Sequence, residues 1–206
     1  MEQLQRMIQK EWAMFTAVNE GKEKASCQQD PGTFFAMRQA QFSAWSEEAR
    51  QSYERDLDAA KAAGRNLLEE KYIHMMAVTE PEQYAALADR LPPLKEETRV
   101  LASRINHVML RQTAELRRTY PFLSQIGRPL YAADAGPWDT AIETYQMGEL
   151  LTYSGRTLAL LHTHLLELER QGIALAEQIQ LNSLRCIGFS SFREADCALY
   201  NTKPSV

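Results

Sequence analysis

One pattern, written twice, restricts this chain to helices more than anything else in it. Residues 33–76 set Phe34, Arg38, Gln41 and Trp45 at spacings of four, three and four, and residues 141–184, which lie 108 positions on, set Ile142, Gln146, Glu149 and Tyr153 at the same spacings. Such spacing puts four side chains on one helical face. Further along, Ser46 meets Ser154, Gly64 meets Gly172, Leu67 meets Leu175 and Glu69 meets Glu177. Each copy then reads as a long helix, a glycine break and a shorter helix. Two such hairpins related by a pseudo-twofold axis form a natural bundle.

The remaining segments agree with an all-α fold, because alternating runs of strand type are absent. A first helix is predicted over residues 2–18 from Leu4, Ile8, Trp12 and Phe15, and a polar loop follows to Gln29. Asp30-Pro31 is a helix start, with Asp as cap and Pro in the first turn, and the helix is read as continuous to Ala63. Helices at 66–77, after Glu80-Pro81, and at 94–120 come next, the last with Leu101, Ile105, Val108, Gln112 and Leu116 at near-heptad spacing. An irregular stretch at 122–138 precedes a second long helix, capped by Asp139 and read to Gln171. Helices at 173–184 and 191–200 complete one domain of residues 1–200, with 201–206 as a tail.

Composition removes several function classes. A net charge of -4 over 206 residues offers no general excess of Lys and Arg for nucleic-acid phosphates. No run approaches the roughly 20 apolar residues of a membrane span, and a cytoplasmic location is expected. Cys27, Cys186 and Cys197 show no CxxC spacing, so reduced thiols are expected and no structural zinc. No residue pattern calls for a metal or a cofactor.

The chemistry lies on the two stripes. Arg38, Gln41, Gln146, Glu149 and Arg156 mix polar and charged groups with Trp45, Tyr145 and Tyr153, which is a lining suited to a small ligand. A buried charge needs a partner, so an Arg38–Glu149 contact is expected. Arg38 and Arg156 offer bidentate donors for an anion, and Glu149 becomes a general acid or base if burial raises its pKa. The same residues also read as a stabilising polar network. Cys27, beside Asn19, Gln28 and Asp30 near a helix start, is a candidate nucleophile and equally a small loop residue. Arg156 and His162 form an R-x5-H pattern similar to that of helical ribonucleases from prokaryotic toxins, though the acidic balance argues against RNA.

Three groups of residues carry a family resemblance. Glu11-Trp12-x-Met14-Phe15, Ser26-Cys27-Gln28 with Thr33-Phe34-x-x-Met37-Arg38-x-x-Gln41-Phe42-x-x-Trp45, and Glu143-Thr144-Tyr145-x-x-Gly148-Glu149-Leu150 together resemble a bacterial family of unknown function, over nearly the whole chain. Some relatives are associated with a nucleotidyltransferase-like domain, which implies a protein partner. Two functions are therefore expected to compete. One is binding of a small anionic or aromatic molecule between the repeats, extending to a cofactor-independent enzyme; the other is an accessory role docked on such a partner.

Overall fold

The computed structural model describes residues 2–18, 26–125, 127–137 and 139–201, without the side chains of Ser26 and Cys27. The expected Asn19 and Cys27 cluster thus falls outside the described side chains. Ten α-helices and no strand are found among the described residues. They are α1 (Glu2–Thr16), α2 (Pro31–Ser43), α3 (Glu47–Ala62), α4 (Leu67–Thr79), α5 (Pro81–Leu87), α6 (Glu96–Thr119), α7 (Ile142–Leu150), α8 (Gly155–Arg170), α9 (Leu175–Cys186) and α10 (Phe192–Asn201).

Each long helix expected from the repeat is in fact two. The break comes at Ser46 and at Ser154, whose backbones are extended (φ -63°, ψ 156° and φ -63°, ψ 154°) and whose hydroxyls accept from the Ala49 and Thr157 amides at 3.2 Å. A serine in this conformation satisfies an orphan N–H of a new helix, so α2 hands over to α3, and α7 to α8, through a sharp corner. The carbonyls left behind at the end of α2 are met by Arg50, which donates to Phe42 O at 3.1 Å and Trp45 O at 2.7 Å. The second of these corners has a further tie: Asp56 accepts from the Ser154 amide at 3.0 Å and from Thr157 Oγ1 at 2.6 Å, joining α3 to α8. Asp139 does not cap α7, which starts at Ile142 behind Ala141.

The ends of α3 and α8 are alike as well. Gly64 (φ 68°) and Gly172 (φ 73°) take the left-handed conformation that closes a helix, with Arg65 N bonded to Ala60 O at 2.8 Å and Ile173 N to Leu168 O at 2.9 Å. Leu57 and Leu165, also 108 residues apart, are both buried. The packing is crossed, with α2 against α9 and α4 against α7, while α3 lies on α8. α1 and α6 flank these pairs. α6 buries Ile105, Gln112 and Leu116 of its anticipated stripe, and Gln112 Oε1 accepts from the Ala176 amide at 3.1 Å. Asn66 does a similar service for α4, accepting from Leu68 and Glu69 N–H while donating to Met14 O at 2.8 Å.

One contact fixes how close α4 comes to α7. A Cβ at Gly148 would stand 2.6 Å from Met75 Cγ and 2.9 Å from the Lys71 carbonyl oxygen, so only glycine allows this approach. Among the described residues no helix is long and apolar enough to cross a membrane.

Candidate functional site

The corner after α2 and the corner after α7 bring their last turns together in the middle of the molecule. Arg38 and Gln41 sit on α2, and Glu149 on α7. Arg38 Nη1 donates to both Glu149 oxygens at 3.0 and 3.1 Å, and Gln41 Nε2 donates to Oε1 at 2.8 Å. Two groups absent from the sequence-based list complete the cluster. Glu11 of α1 accepts from Arg38 Nε at 2.7 Å and again from Nη2, and Lys71 of α4 donates to Glu149 Oε2 at 2.6 Å. Tyr53 and Tyr153 each give a phenolic hydrogen bond of 2.6 Å, to Glu11 and Glu149 respectively.

Glu11 is 0 % exposed, Lys71 2 %, Glu149 6 % and Arg38 7 %. Two acids and two bases make the cluster neutral, which is the condition for keeping four charges out of water. Burial by itself raises the Glu149 pKa, but the positive charges of Arg38 and then Lys71 outweigh it and hold this carboxyl well below the ordinary glutamate range. The condition for acid–base work by Glu149, a pKa raised by burial, is therefore not met. A carboxylate accepting from four side chains is a weak base, and proton transfer by Glu149 has no support in this geometry. Arg38 moves the other way: burial opposes its charge, and Glu11 and then Glu149 more than restore it. Burial and the neighbouring carboxylates likewise keep Tyr53 and Tyr153 as protonated donors.

Beside this cluster three aromatic rings meet: Trp45 packs edge to face on Tyr153 at 5.6 Å and on Tyr53 at 6.0 Å, and Tyr53 and Tyr153 are tilted at 4.8 Å between centroids. Trp45 and Tyr153 then form part of the wall of a cavity of about 660 Å³, which Gln41, Tyr145, Gln146 and Glu149 also line. Its remaining wall is largely apolar, from Met109, Leu116, Leu161 and Ile179, and it reaches the surface beside the exposed Met37 and Ile187. The Gln146 side chain borders the cavity, while its Oε1 is shut off from it and has no hydrogen-bond partner among the described residues. A second cavity of about 690 Å³ lies on the other side of Tyr145 and is lined by Asp30, Phe34, Arg38, Lys71 and Glu80. Tyr145, Met37 and Arg128 border both. Lys71 Nζ stands 3.5 Å and the Arg128 guanidinium 5.0 Å from the centre of the Tyr145 ring, so two cations attend this partition.

Over nearly its whole length the chain matches one known family. The family described as "Protein of unknown function (DUF4125)" matches residues 1–197. The chain belongs to this family. No curated protein and no solved structure matches it. In this family member the structure brings together Arg38, Gln41, Trp45, Tyr145, Glu149 and Tyr153, and does not bring Arg156 to them. The helix break at Ser154 is the reason: Arg156 belongs to the first turn of α8, is exposed, and lines neither cavity. His162 lies further along α8 and also lines neither, whereas His164 bonds through Nε2 to Ala44 O at 2.8 Å. Among the described residues there is no group of three or more His, Cys, Asp or Glu able to hold a metal.

Lys71 was legible in part. α4 carries Leu67, Leu68, Tyr72, Ile73, Met75 and Met76 around much of its circumference, which narrows the solvent face left to a lysine. Glu11 gave a weaker signal, a carboxylate beside Trp12 on an otherwise amphipathic helix.

Proposed function

We propose that this protein binds a small molecule in the cavity walled by Trp45 and Tyr153, with an aromatic or largely apolar body packed on those rings and polar atoms meeting Gln41 and Gln146. The observation that carries the reading is a cavity of ligand size that is walled by the Trp45 and Tyr153 rings and bordered by the amide side chains of Gln41 and Gln146. Pockets of this kind combine a mainly apolar wall with a few polar groups that orient the ligand. In this reading the neutral cluster of Glu11, Arg38, Lys71 and Glu149 is a rigid floor under the site and not its reactive centre.

The two hairpins are proposed as pseudo-twofold copies within one domain, on the support of their matching serine caps, glycine ends and crossed packing. The site then lies on the axis between them. A cytoplasmic setting is part of the proposal, because the exposed, unbridged Cys186 and Cys197 suit a reducing compartment. An accessory role would call for a contiguous apolar surface; the large exposed apolar side chains are instead spread over several helices, and Met37 and Ile187 border the cavity itself.

The test is a screen of planar aromatic compounds by thermal shift, run in parallel on the wild type and on Ser183→Trp, which fills the cavity from α9. Compounds that stabilise the wild type and not the folded variant support the proposal. No stabilising compound, or equal stabilisation of both proteins, refutes it.

A further inference from the structure

The mouth of the same cavity holds two arginines that the charge cluster does not use. Arg117, half-buried in the last turn of α6, and Arg128, exposed in the loop before α7, both line it. Each is held by neutral groups. Arg117 Nη2 donates to the Arg128 carbonyl at 2.8 Å, and Arg128 Nη1 donates to the Thr140 carbonyl at 3.1 Å while its guanidinium lies over Tyr145.

Among the described residues neither arginine forms an ion pair, whereas Arg38, Arg65, Arg90, Arg111 and Arg118 all do. Glu149 is the acid that lines this cavity, and its oxygens are taken by Arg38, Lys71, Gln41 and Tyr153. Two fixed positive charges thus face a mainly apolar space without a counter-ion, and burial alone lowers the Arg117 pKa. Every guanidinium has five N–H donors in a planar fork, of which the protein's carbonyls occupy one on each. Arg128 also borders the second cavity, where Asp30 and Glu80 are the acids, whereas Arg117 faces the first cavity alone.

We infer that the ligand is an amphipathic anion, its aromatic or apolar body inside the cavity and a carboxylate, sulfonate or phosphate at the mouth between Arg117 and Arg128. The inference rests on the binding proposal above and adds the chemical class. The planar fork of arginine suits such oxyanions, and the apolar wall rejects a ligand that is charged throughout. A role for Arg117 in steadying the negative end of α6 is compatible with its position, so the test separates the two.

The experiment titrates the intact chain with two fluorescent probes of one aromatic body, anilinonaphthalene sulfonate and the uncharged phenylnaphthylamine. Wild type is expected to bind the sulfonate at least tenfold more tightly, with one probe per chain, the size of effect that one charge-assisted hydrogen bond gives. Arg117→Met and Arg128→Met should each lose roughly tenfold for the sulfonate and leave the uncharged probe unchanged, whereas Arg118→Met, beside them but paired with Glu115, should change neither. An unchanged far-UV circular dichroism spectrum and an unchanged cooperative melt report that each variant is folded. Equal affinity for both probes, or equal losses of both in the arginine variants, overturns the anionic assignment and leaves the cavity reading standing. If neither probe binds wild type, both readings are overturned.

Discussion

Replacing Arg38 by methionine should destabilise the fold out of proportion to the one side chain removed. In the wild type Glu11 is balanced by Arg38, and Glu149 by Arg38 and Lys71, with all four groups at most 7 % exposed. Methionine fills most of the vacated volume, so the loss is chiefly electrostatic. Glu11 keeps the Tyr53 hydroxyl and loses its cation, and the core takes a net charge of one. Breaking a buried pair from one side costs about 3–5 kcal/mol. For a chain of this size each kcal/mol lowers the melting temperature by about 2–4 °C, so a fall of roughly 6–20 °C is expected. Urea unfolding at neutral pH, followed by far-UV circular dichroism, measures the free energy directly. The same reasoning requires Glu11→Gln combined with Arg38→Met to cost less than Arg38→Met alone, because the double variant restores neutrality with Lys71 and Glu149 still paired. A loss under about 1 kcal/mol for Arg38→Met, or a double variant whose loss is the sum of the two single losses, would refute the account of the cluster as a closed, mutually dependent unit.

Two further outcomes follow from named contacts. Gly148→Ala should destabilise by about 1–3 kcal/mol from overpacking against Met75 and the Lys71 carbonyl, less a helix-propensity gain of about 1 kcal/mol; Gly155→Ala, whose added Cβ would meet nothing nearer than 3.9 Å, should be neutral or mildly stabilising in the same urea assay. Stability should fall with acid in two stages. Burial first, and then the charge of Arg99, lower the His74 pKa from 6.5 to about 4, so its neutral form contributes stability that is complete above 6.5 and lost as the pH falls to 4. The depressed carboxyl of Glu149 contributes stability that is complete above its ordinary value of 4.5 and lost below it. Unfolding free energies of wild type and His74→Gln between pH 7 and 3 check this, since the substitution should flatten the upper stage and keep the lower.

The helices were legible because their period and their glycine and proline punctuation are strong: Asp30-Pro31 starts α2, Pro121 follows α6, and Gly64 and Gly172 end α3 and α8. The corner at Ser46 was not, because neither Pro nor Gly marks it, and at the second corner the Ser154-Gly155 pair is a turn signal that the continuous stripe overrode. The signal at Ser46 was subtler, a serine with two acidic residues after it, and the apolar stripe runs across the corner as if unbroken. That oversight is what assigned Arg156 to the site. Within the site, the pairing of Arg38 with Glu149 followed from the rule that buried charges need partners, but the sequence could not say how many others would join. A lysine next to a glutamate, as at Glu70-Lys71, has the look of a solvated pair; here Glu70 turns to Arg65 and Lys71 to Glu149, a choice made by the packing of α4 on α7. The loop arginine at 128 acquires its place only through contacts with Arg117, Thr140 and Tyr145 that lie in three separate parts of the chain.

The distribution of the central charges along the chain has a bearing on how the molecule assembles. Everything up to the end of α4 contributes one acid and two bases to the middle of the bundle, and everything after it contributes a single acid, Glu149. Neither portion alone can close around an electrically balanced interior. The first would bury a stray cation and the second a stray anion, so partial folding is penalised on both sides and the balanced interior exists only where the two portions meet.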